Sequence, residues 1–266
     1  MERIVPGLLI AGLWLLLLLF GSIQFFNVII VLVIVVAADE YVKMADPRGL
    51  PVIKRALIDC IIALPAVSVC FIPDPGILPL ASIFSFSAFT CYFLYHYRNF
   101  SESYNLFTRL IFGLFYVGIL GAHCSLLRAI PEGASWLIIA SAITASSDTG
   151  AYFVGKRFGK RKLCPNISPN KTIEGAVGGV GSAVIAAVLF ALLLLPSYNL
   201  LFIVIAAIFL AIIGIAGDLT ESIIKRGTGA KDSGSCLAGH GGVLDRVDSL
   251  LFVAPVLYYL LINPVV

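Results

Sequence analysis

The fold is decided by residues 199–248, which read NLLFIVIAAIFLAIIGIAGDLTESIIKRGTGAKDSGSCLAGHGGVLDRVD. The stretch opens with a continuous apolar run and continues as a charged, glycine-rich segment that leads into another apolar run. A charged segment between two apolar helices is costly at a membrane face unless it has a task. Basic side chains beside glycine suit phosphate groups, and clustered aspartates suit a divalent cation. The stretch therefore predicts a membrane enzyme that handles phosphates with a metal.

The composition of the whole chain supports a membrane protein. Hydrophobic residues make up 60% of the 266 residues and charged residues only 12%, a charged share about half that of a soluble domain. The apolar runs are continuous rather than alternating, which favours helices over a barrel. We expect an all-α, polytopic integral membrane protein with about nine transmembrane helices, at 5–22, 24–39, 55–73, 77–96, 106–127, 134–154, 175–196, 199–217 and 249–263.

The first apolar segment also resembles the core of a signal peptide. A small-residue cleavage site is not found after it, and a second apolar run begins almost at once, so we expect a retained helix.

The distribution of basic residues predicts the orientation. With nine spans, 17 of the 18 lysines and arginines fall on the side of the amino terminus, and only Arg128 falls on the other side. The positive-inside rule makes the basic side cytoplasmic. We therefore expect an N-terminal region of five spans at 1–130 and a catalytic region of four spans at 131–266. The loops 155–174 and 218–248 of the second region would share the cytoplasmic face.

The loop 155–174 has two parts. Its first part is a basic run at 156–162, typical of a surface patch attracted to anionic lipid. Its second part, 168–172, places hydroxyl groups, backbone N–H groups and Lys171 just before the seventh apolar segment. This arrangement is typical of an anion site at a helix amino terminus, and a plain helix cap is the alternative reading.

Asp148 lies inside the sixth apolar segment. An ionisable group within a span is costly and usually faces a cavity or a partner. Pairing with Lys156 or Arg157 at the helix end is the alternative explanation.

The segment 218–248 supplies carboxylates at two helix ends. Asp218 and Glu221 stand three residues apart, and so do Asp245 and Asp248, so each pair shares a helix face. Oxygen ligands of this kind fit magnesium better than zinc. His240 precedes two glycines that permit close backbone approach. As a lone histidine it is more typical of a hydrogen-bond donor than of a metal ligand.

These residues resemble the signature of the phosphatidate cytidylyltransferase family. The resemblance rests on Ser222-x-x-Lys225-Arg226-x4-Lys231-Asp232-x-Gly234, followed by His240-Gly241-Gly242-x-x-Asp245-Arg246-x-Asp248. The stretches 147–152 and 168–175 are similar to another motif region of that family. The resemblance covers the carboxy-terminal half, and Ala238 departs from it where the family usually has proline.

The resemblance implies transfer of CMP from CTP to phosphatidate, giving CDP-diacylglycerol and pyrophosphate in phospholipid biosynthesis. It implies Mg²⁺, a centre for one or two cations, a homodimer and no nucleic-acid partner. The active site would face the cytoplasm at a bacterial inner membrane. The expected metal ligands are Asp218, Asp245 and Asp248, and the expected catalytic residues that clamp phosphates are Lys171, Lys225, Arg226, Lys231 and Arg246. The expected substrate-binding residues are Asp148, Ser168, Asn170, Thr172, Ser222, His240, Gly241 and Gly242.

Three alternatives stay open at this point. A CTP-dependent polyprenol kinase would share the membrane fold and the nucleotide loops. A transporter would use Asp59 and Asp148 to relay ions, although the hydropathy pattern has no inverted repeat. A non-catalytic scaffold that binds anionic lipid would explain the run 156–162 and leave the aspartates without a role.

Overall fold

The computed structural model describes residues 4–46, 49–72, 74, 76–97, 103–230, 232–234 and 241–263. Within these residues the chain is helical apart from turns and one two-stranded hairpin, which confirms the all-α class. Six helices are long and apolar enough to cross a membrane, by length and composition alone. The number of nine crossings and the side of the amino terminus stay predictions.

Each predicted apolar segment corresponds to a helix in the described part of the chain. The helices are α1 (Ile4–Phe20), α2 (Ile23–Ala45), α3 (Val52–Phe71), α4 (Ile77–His96), α5 (Ser103–Gly113), α6 (Leu120–Ala129), α7 (Gly133–Phe158), α8 (Ile173–Leu194), α9 (Leu200–Thr228) and α10 (Leu244–Ile262). A π-helical turn at Leu114–Ile119 joins α5 to α6, so these two form one continuous rod. The candidate membrane helices are α2, α4, the α5–α6 rod, α7, α8 and α9.

The chain divides into two compact units, which are described separately. The first unit comprises Met1–Ala129 and Thr228–Arg246. In it the Tyr41 hydroxyl donates to the Arg109 carbonyl at 2.8 Å, and Arg109 Nη1 donates to the Ala45 carbonyl at 2.9 Å. Arg55 of α3 forms an ion pair with Asp39 of α2 at 2.7 Å. These polar contacts hold the end of α2 against α3 and α5.

The second unit comprises Ile130–Gly227 and Val247–Val266. Helix α8 packs against α7 through small residues buried at every fourth position, which are Gly175, Gly179, Ala183, Ala187 and Ala191. Small residues let two helix backbones approach closely. A Cβ added at Gly179 would lie 2.7 Å from the Ser147 carbonyl oxygen of α7, so the contact leaves no room for a larger residue.

The hairpin lies between α7 and α8, where the sequence predicted only a loop. Strand β1 (Lys162–Cys164) pairs antiparallel with β2 (Ser168–Thr172). Glu174 in the first turn of α8 accepts hydrogen bonds from the N–H groups of Lys160 and Arg161, at 3.0 and 3.1 Å. The hairpin therefore returns the chain to the point where α8 begins, and β2 runs directly into that helix.

Candidate active site

The second unit contains a cavity of about 260 Å³ that is bordered by α7, both strands of the hairpin, α8 and α9. Its polar lining residues are Asp148, Tyr152, Asn170, Lys171, Thr172 and Asp218. Three sequence segments that were singled out separately for phosphate or metal chemistry thus contribute to one cavity.

Lys171 and Asp218 are the charged pair of this cavity. Lys171 Nζ donates to Asp218 Oδ2, and about a quarter of each side chain is exposed, 26% and 27%. The contact joins β2 to α9. A half-buried lysine held in place by a carboxylate is a positioned cation, unlike a lysine on an exposed surface.

Three carboxylates lie together at the same end of α9. The ligand oxygens of Asp218, Glu221 and Asp248 are all within 4.8 Å of one another. Close approach of α9 to α10 makes this possible, since a Cβ at Gly217 would lie 2.9 Å from the Asp248 carbonyl oxygen. Asp218 and Asp248 were predicted as metal ligands, and Glu221 takes a place beside them that the sequence analysis did not assign.

The electrostatics of this cluster favour a cation. Glu221 and Asp248 are buried, 1% and 8% exposed. Burial, together with the nearby Asp218 carboxylate, raises the pKa of Asp248 well above the ordinary range of an aspartate. Like charges that are taken out of water repel one another unless a cation lies between them. Oxygen-only donors at this spacing fit Mg²⁺, which prefers carboxylates to nitrogen or sulfur ligands.

Two predicted phosphate-clamping residues follow Asp218 on α9. Lys225 Nζ forms an ion pair with Glu221 Oε2 at 2.6 Å, one helical turn away. Arg226 Nε donates to the Ile167 carbonyl at 3.3 Å, which ties α9 to the turn of the hairpin. Lys225 therefore lies at the carboxylate cluster, whereas Arg226 contacts the turn between β1 and β2.

The residues next to Lys171 in sequence cap α8, line the cavity or belong to β2. The Thr172 hydroxyl accepts from the Gly175 N–H at 3.1 Å and caps α8, as the plain-cap reading predicted, while Thr172 also lines the cavity. Asn170 lines the cavity, and Ser168 starts β2.

Two further predicted substrate-binding residues lie on helices of this unit. Ser222 lies on α9, one residue beyond Glu221. Asp148 lies on α7 in the cavity lining.

The remaining predicted residues belong to the first unit. Asp245 Oδ2 accepts from the Gly242 N–H at 2.7 Å and from the Ser233 N–H at 3.2 Å. Gly241 has a φ of +76°, and a Cβ there would overlap Asp245. Asp245 thus accepts from backbone N–H groups, and its role as a metal ligand stays a prediction. Arg246 follows it in the first turn of α10, while Lys231 and His240 lie outside the described residues.

Glu40 is a second residue that the sequence analysis missed. It lies near the end of α2 and accepts hydrogen bonds from the Val243 and Leu244 N–H groups, at 3.0 and 2.9 Å. Its only signal in the sequence is its place at the end of an apolar run, which is equally typical of an exposed carboxylate at a membrane surface.

Comparison with known proteins gives consistent matches. The model of the cytidylyltransferase family matches residues 1–263. The chain is 36% identical to a phosphatidate cytidylyltransferase of Bacillus subtilis (strain 168) over 266 residues, covering 98% of this chain and 97% of that protein. It is 31% identical to a phosphatidate cytidylyltransferase of Synechocystis sp. over 289 residues, covering 98% and 96%. A phosphatidate cytidylyltransferase of Staphylococcus haemolyticus is 45% identical over 132 residues, covering 50% and 51%.

Proposed function

The chain belongs to the cytidylyltransferase family, and we propose that it transfers the cytidylyl group of CTP to phosphatidate, giving CDP-diacylglycerol and pyrophosphate. The two relatives that match nearly the whole chain are phosphatidate cytidylyltransferases by name. The observation that carries the proposal is the pairing of Lys171 with Asp218 in a cavity wall, at the edge of a three-carboxylate cluster. This arrangement offers a cation for phosphate oxygens next to ligands for a divalent ion.

Both substrates carry dense negative charge, so bringing them together requires positive groups. Lys171 and Lys225 reach the cluster from β2 and α9, and each amine is held there by a carboxylate. A phosphate oxygen can accept a charge-assisted hydrogen bond from such an amine. Helix α8 begins just after Lys171, and the positive end of its dipole favours an anion at the same place.

We assign a magnesium ion to Asp218, Glu221 and Asp248, with Asp245 as a further predicted ligand and a second cation as the family resemblance implies. The fit rests on the donor set, three carboxylates within reach of one ion. A bound Mg²⁺ would neutralise phosphate charge and polarise the α-phosphate.

The reaction needs positioning more than proton transfer. A phosphate oxygen of phosphatidate attacks the α-phosphorus of CTP, and the bond to the bridging oxygen breaks as pyrophosphate leaves with the electron pair. A phosphate monoester has a second pKa of about 6, so the attacking oxygen is already ionised at neutral pH. The chain's own groups would therefore orient the two phosphates and stabilise the charge that develops between them.

We also propose nine membrane crossings with the amino terminus in the cytoplasm of a bacterial cell, at the inner membrane. The support is the one-sided distribution of 17 of the 18 basic residues, together with the six long apolar helices. In this topology the loops 155–174 and 218–248 face the compartment that contains CTP.

Two further partners belong to the proposal. The family resemblance implies a homodimer. The basic residues of the run 156–162 are all exposed, which suits contact with anionic lipid headgroups.

The test uses the purified protein, phosphatidate in detergent micelles and CTP labelled either in the cytosine or in the γ-phosphate. Cytidylyl transfer puts the cytosine label into the lipid extract and the γ label into pyrophosphate, whereas a kinase puts the γ label into lipid. Polyprenol in place of phosphatidate serves as the acceptor control, and EDTA tests the need for a divalent cation. Absence of cytosine label from the lipid extract, with phosphatidate and Mg²⁺ present, would contradict the proposal.

A further inference from the structure

Glu40 of α2 holds the segment that precedes α10, within the first unit. Its side chain is buried, 3% exposed. Oε1 accepts from the Val243 N–H at 3.0 Å, and Oε2 accepts from the Leu244 N–H at 2.9 Å and from the Ser233 hydroxyl at 3.3 Å. Two backbone groups and one side chain, about 200 residues further along the chain, thus converge on one carboxylate.

The glycines of this segment make room for Glu40. A Cβ added at Gly234 or at Gly242 would overlap the Glu40 carboxylate, so a larger residue at either position would displace Glu40 from its hydrogen bonds. Ser233 extends the contact, because its N–H donates to Asp245 Oδ2 at 3.2 Å and its hydroxyl accepts from the Asp245 N–H at 3.3 Å. Glu40, Ser233 and Asp245 therefore form one hydrogen-bonded network around the start of α10.

This network fixes where α10 begins. The first N–H groups of a helix have no acceptor within the helix, and Glu40 supplies one for Leu244 and for the preceding Val243. A carboxylate is also favoured at the positive end of the helix dipole. A start that slipped by one residue would rotate the following side chains by about 100° around the helix axis. Asp245, Arg246 and Asp248 all lie in the first turns of α10.

We propose that Glu40 is a positioning residue for the transfer reaction, which fixes where α10 starts and thereby the direction of Asp245 and Arg246. The inference rests on the proposed function for its kinetic consequence. Glu40 does not touch the substrates in this account and acts through α10.

The test compares Glu40→Gln with Asp39→Asn in the purified full-length protein. Glutamine keeps the size of the side chain but places an NH₂ group against one of the three donors. Asp39 is the matched control, since it is the preceding residue of α2 and pairs with Lys43 and Arg55 instead. The measurements are kcat and KM for CTP per folded protein, the melting temperature, and amide hydrogen exchange of the peptide 241–250.

We expect Glu40→Gln to lower kcat by at least ~10-fold, because a misplacement of about 1 Å in a catalytic group can cost 10²-fold in rate. KM for CTP should change little, and exchange of the peptide 241–250 should become faster. Asp39→Asn should alter neither kcat nor that exchange. A purely structural role would lower the folded yield and leave kcat per folded molecule unchanged.

The remaining outcomes distinguish failure of the positioning role from failure of the proposed function. An equally active, folded Glu40→Gln variant would overturn the positioning role and leave the proposed function intact. Wild-type protein without transfer activity would contradict the proposed function itself, while the exchange data would still report on the contact. If Glu40→Gln does not fold, Ser233→Ala removes one arm of the same network, and an unchanged kcat in that variant overturns the inference.

Discussion

Lys171 Nζ donates a hydrogen bond to Asp218 Oδ2 and so joins β2 to α9 across 47 residues of sequence. The sequence assigned these two residues to different partners, the lysine to phosphate and the aspartate to a metal. In the structure the two side chains form an ion pair in the wall of one cavity, so each neutralises the charge of the other. If a phosphate bound to Lys171 and a cation bound to Asp218, two ion pairs would replace this one. The charges in the cavity wall would then stay balanced.

Lys171→Ala should lower kcat at saturating CTP by ~10²-fold, equivalent to ~2.7 kcal/mol, because a positioned charge is lost from the transition state. Lys171→Arg should not restore the rate fully, since a planar guanidinium replaces a compact ammonium. The measurement is steady-state kinetics in mixed micelles of phosphatidate and detergent.

The control for Lys171 is the double variant Lys160→Ala/Lys162→Ala, since both residues are exposed. It should keep its turnover and bind vesicles of anionic lipid more weakly, with an effect that shrinks at high salt. If the double variant loses turnover while Lys171→Ala keeps a normal rate, the phosphate site lies in the first half of the loop and not in the second.

Asp218→Asn and Asp248→Asn should each weaken Mn²⁺ binding by at least ~10-fold and lower activity by ~10²-fold or more, since each removes one oxygen ligand and one negative charge. Electron paramagnetic resonance of Mn²⁺ titrated into the detergent-solubilised protein reports the binding directly. Asp74→Asn is the control, an exposed carboxylate in the turn between α3 and α4. Unchanged Mn²⁺ binding in both site variants would show that the cation lies elsewhere.

In the same Mn²⁺ titration, Asp245→Asn distinguishes a role of Asp245 as a metal ligand from a role as a hydrogen-bond acceptor. As a metal ligand, Asp245 would affect Mn²⁺ binding as strongly as Asp218 does. As an acceptor for the Gly242 and Ser233 N–H groups, it would affect the melting temperature instead, with Mn²⁺ affinity close to that of the wild type.

Lys225→Met should destabilise the protein by about 3 kcal/mol, because it leaves the buried Glu221 carboxylate without its paired cation. Added MgCl₂ should recover part of the loss, since a cation bound to the folded state compensates the same carboxylate. Lys43→Met is the matched control. Lys43 forms an i,i+4 pair with Asp39, but its side chain is 53% exposed, and exposed pairs contribute at most about 1 kcal/mol. Equal melting temperatures of the two variants would contradict this account.

The sequence predicted the helices well and their polar ends less well. The segment predicted at 77–96 has the same bounds as α4, since apolar composition and helix end together there. Helix α9 continues to Thr228, well past the predicted end at 217, because hydropathy reports where a helix leaves apolar surroundings and not where its hydrogen bonds stop. The hairpin was missed because β1 has only three residues and β2 contains a proline, too little for an alternating pattern.

The residues of the candidate site were also predicted only in part. Asp148, Lys171 and Asp218 could be singled out because charge is rare in this chain, and the structure places all three on one cavity. Glu221 was seen only as a neighbour of Asp218, since spacing along one helix does not show which carboxylates a second helix approaches. Glu40 could not be connected to the segment before α10, because a contact over about 200 residues leaves no local pattern.

The proposed topology predicts the position of reporters fused to the chain. A reporter after Val266 should lie outside the cytoplasm, and one inserted in the loop 97–105 should lie inside, because nine spans put the carboxyl terminus opposite the amino terminus. Alkaline phosphatase and green fluorescent protein fusions measure the two sides independently. Both reporters on one side would mean an even number of crossings between them, which contradicts the nine-span topology.

Gly179→Ala and Gly181→Ala test whether close packing of α7 on α8 shapes the cavity. Both glycines lie in α8, but a Cβ at Gly179 would meet the Ser147 carbonyl oxygen at 2.7 Å, whereas Gly181 has nothing within 4 Å. Backbone cannot move aside as a side chain can, so Gly179→Ala should cost about 1–3 kcal/mol. Gly181→Ala should be neutral or stabilising by up to about 1 kcal/mol, since alanine is the better helix former.

The two variants should also differ in turnover. Asp148 lies on α7, and Lys171 lies in β2 just before α8, so a wider spacing of these helices would separate the two side chains across the cavity. Thermal unfolding in detergent and the rate of cytidylyl transfer are measured on the same preparations. Equal melting temperatures and equal rates for both variants would show that the α7–α8 contact is looser than its small-residue face implies, and that the cavity does not depend on it.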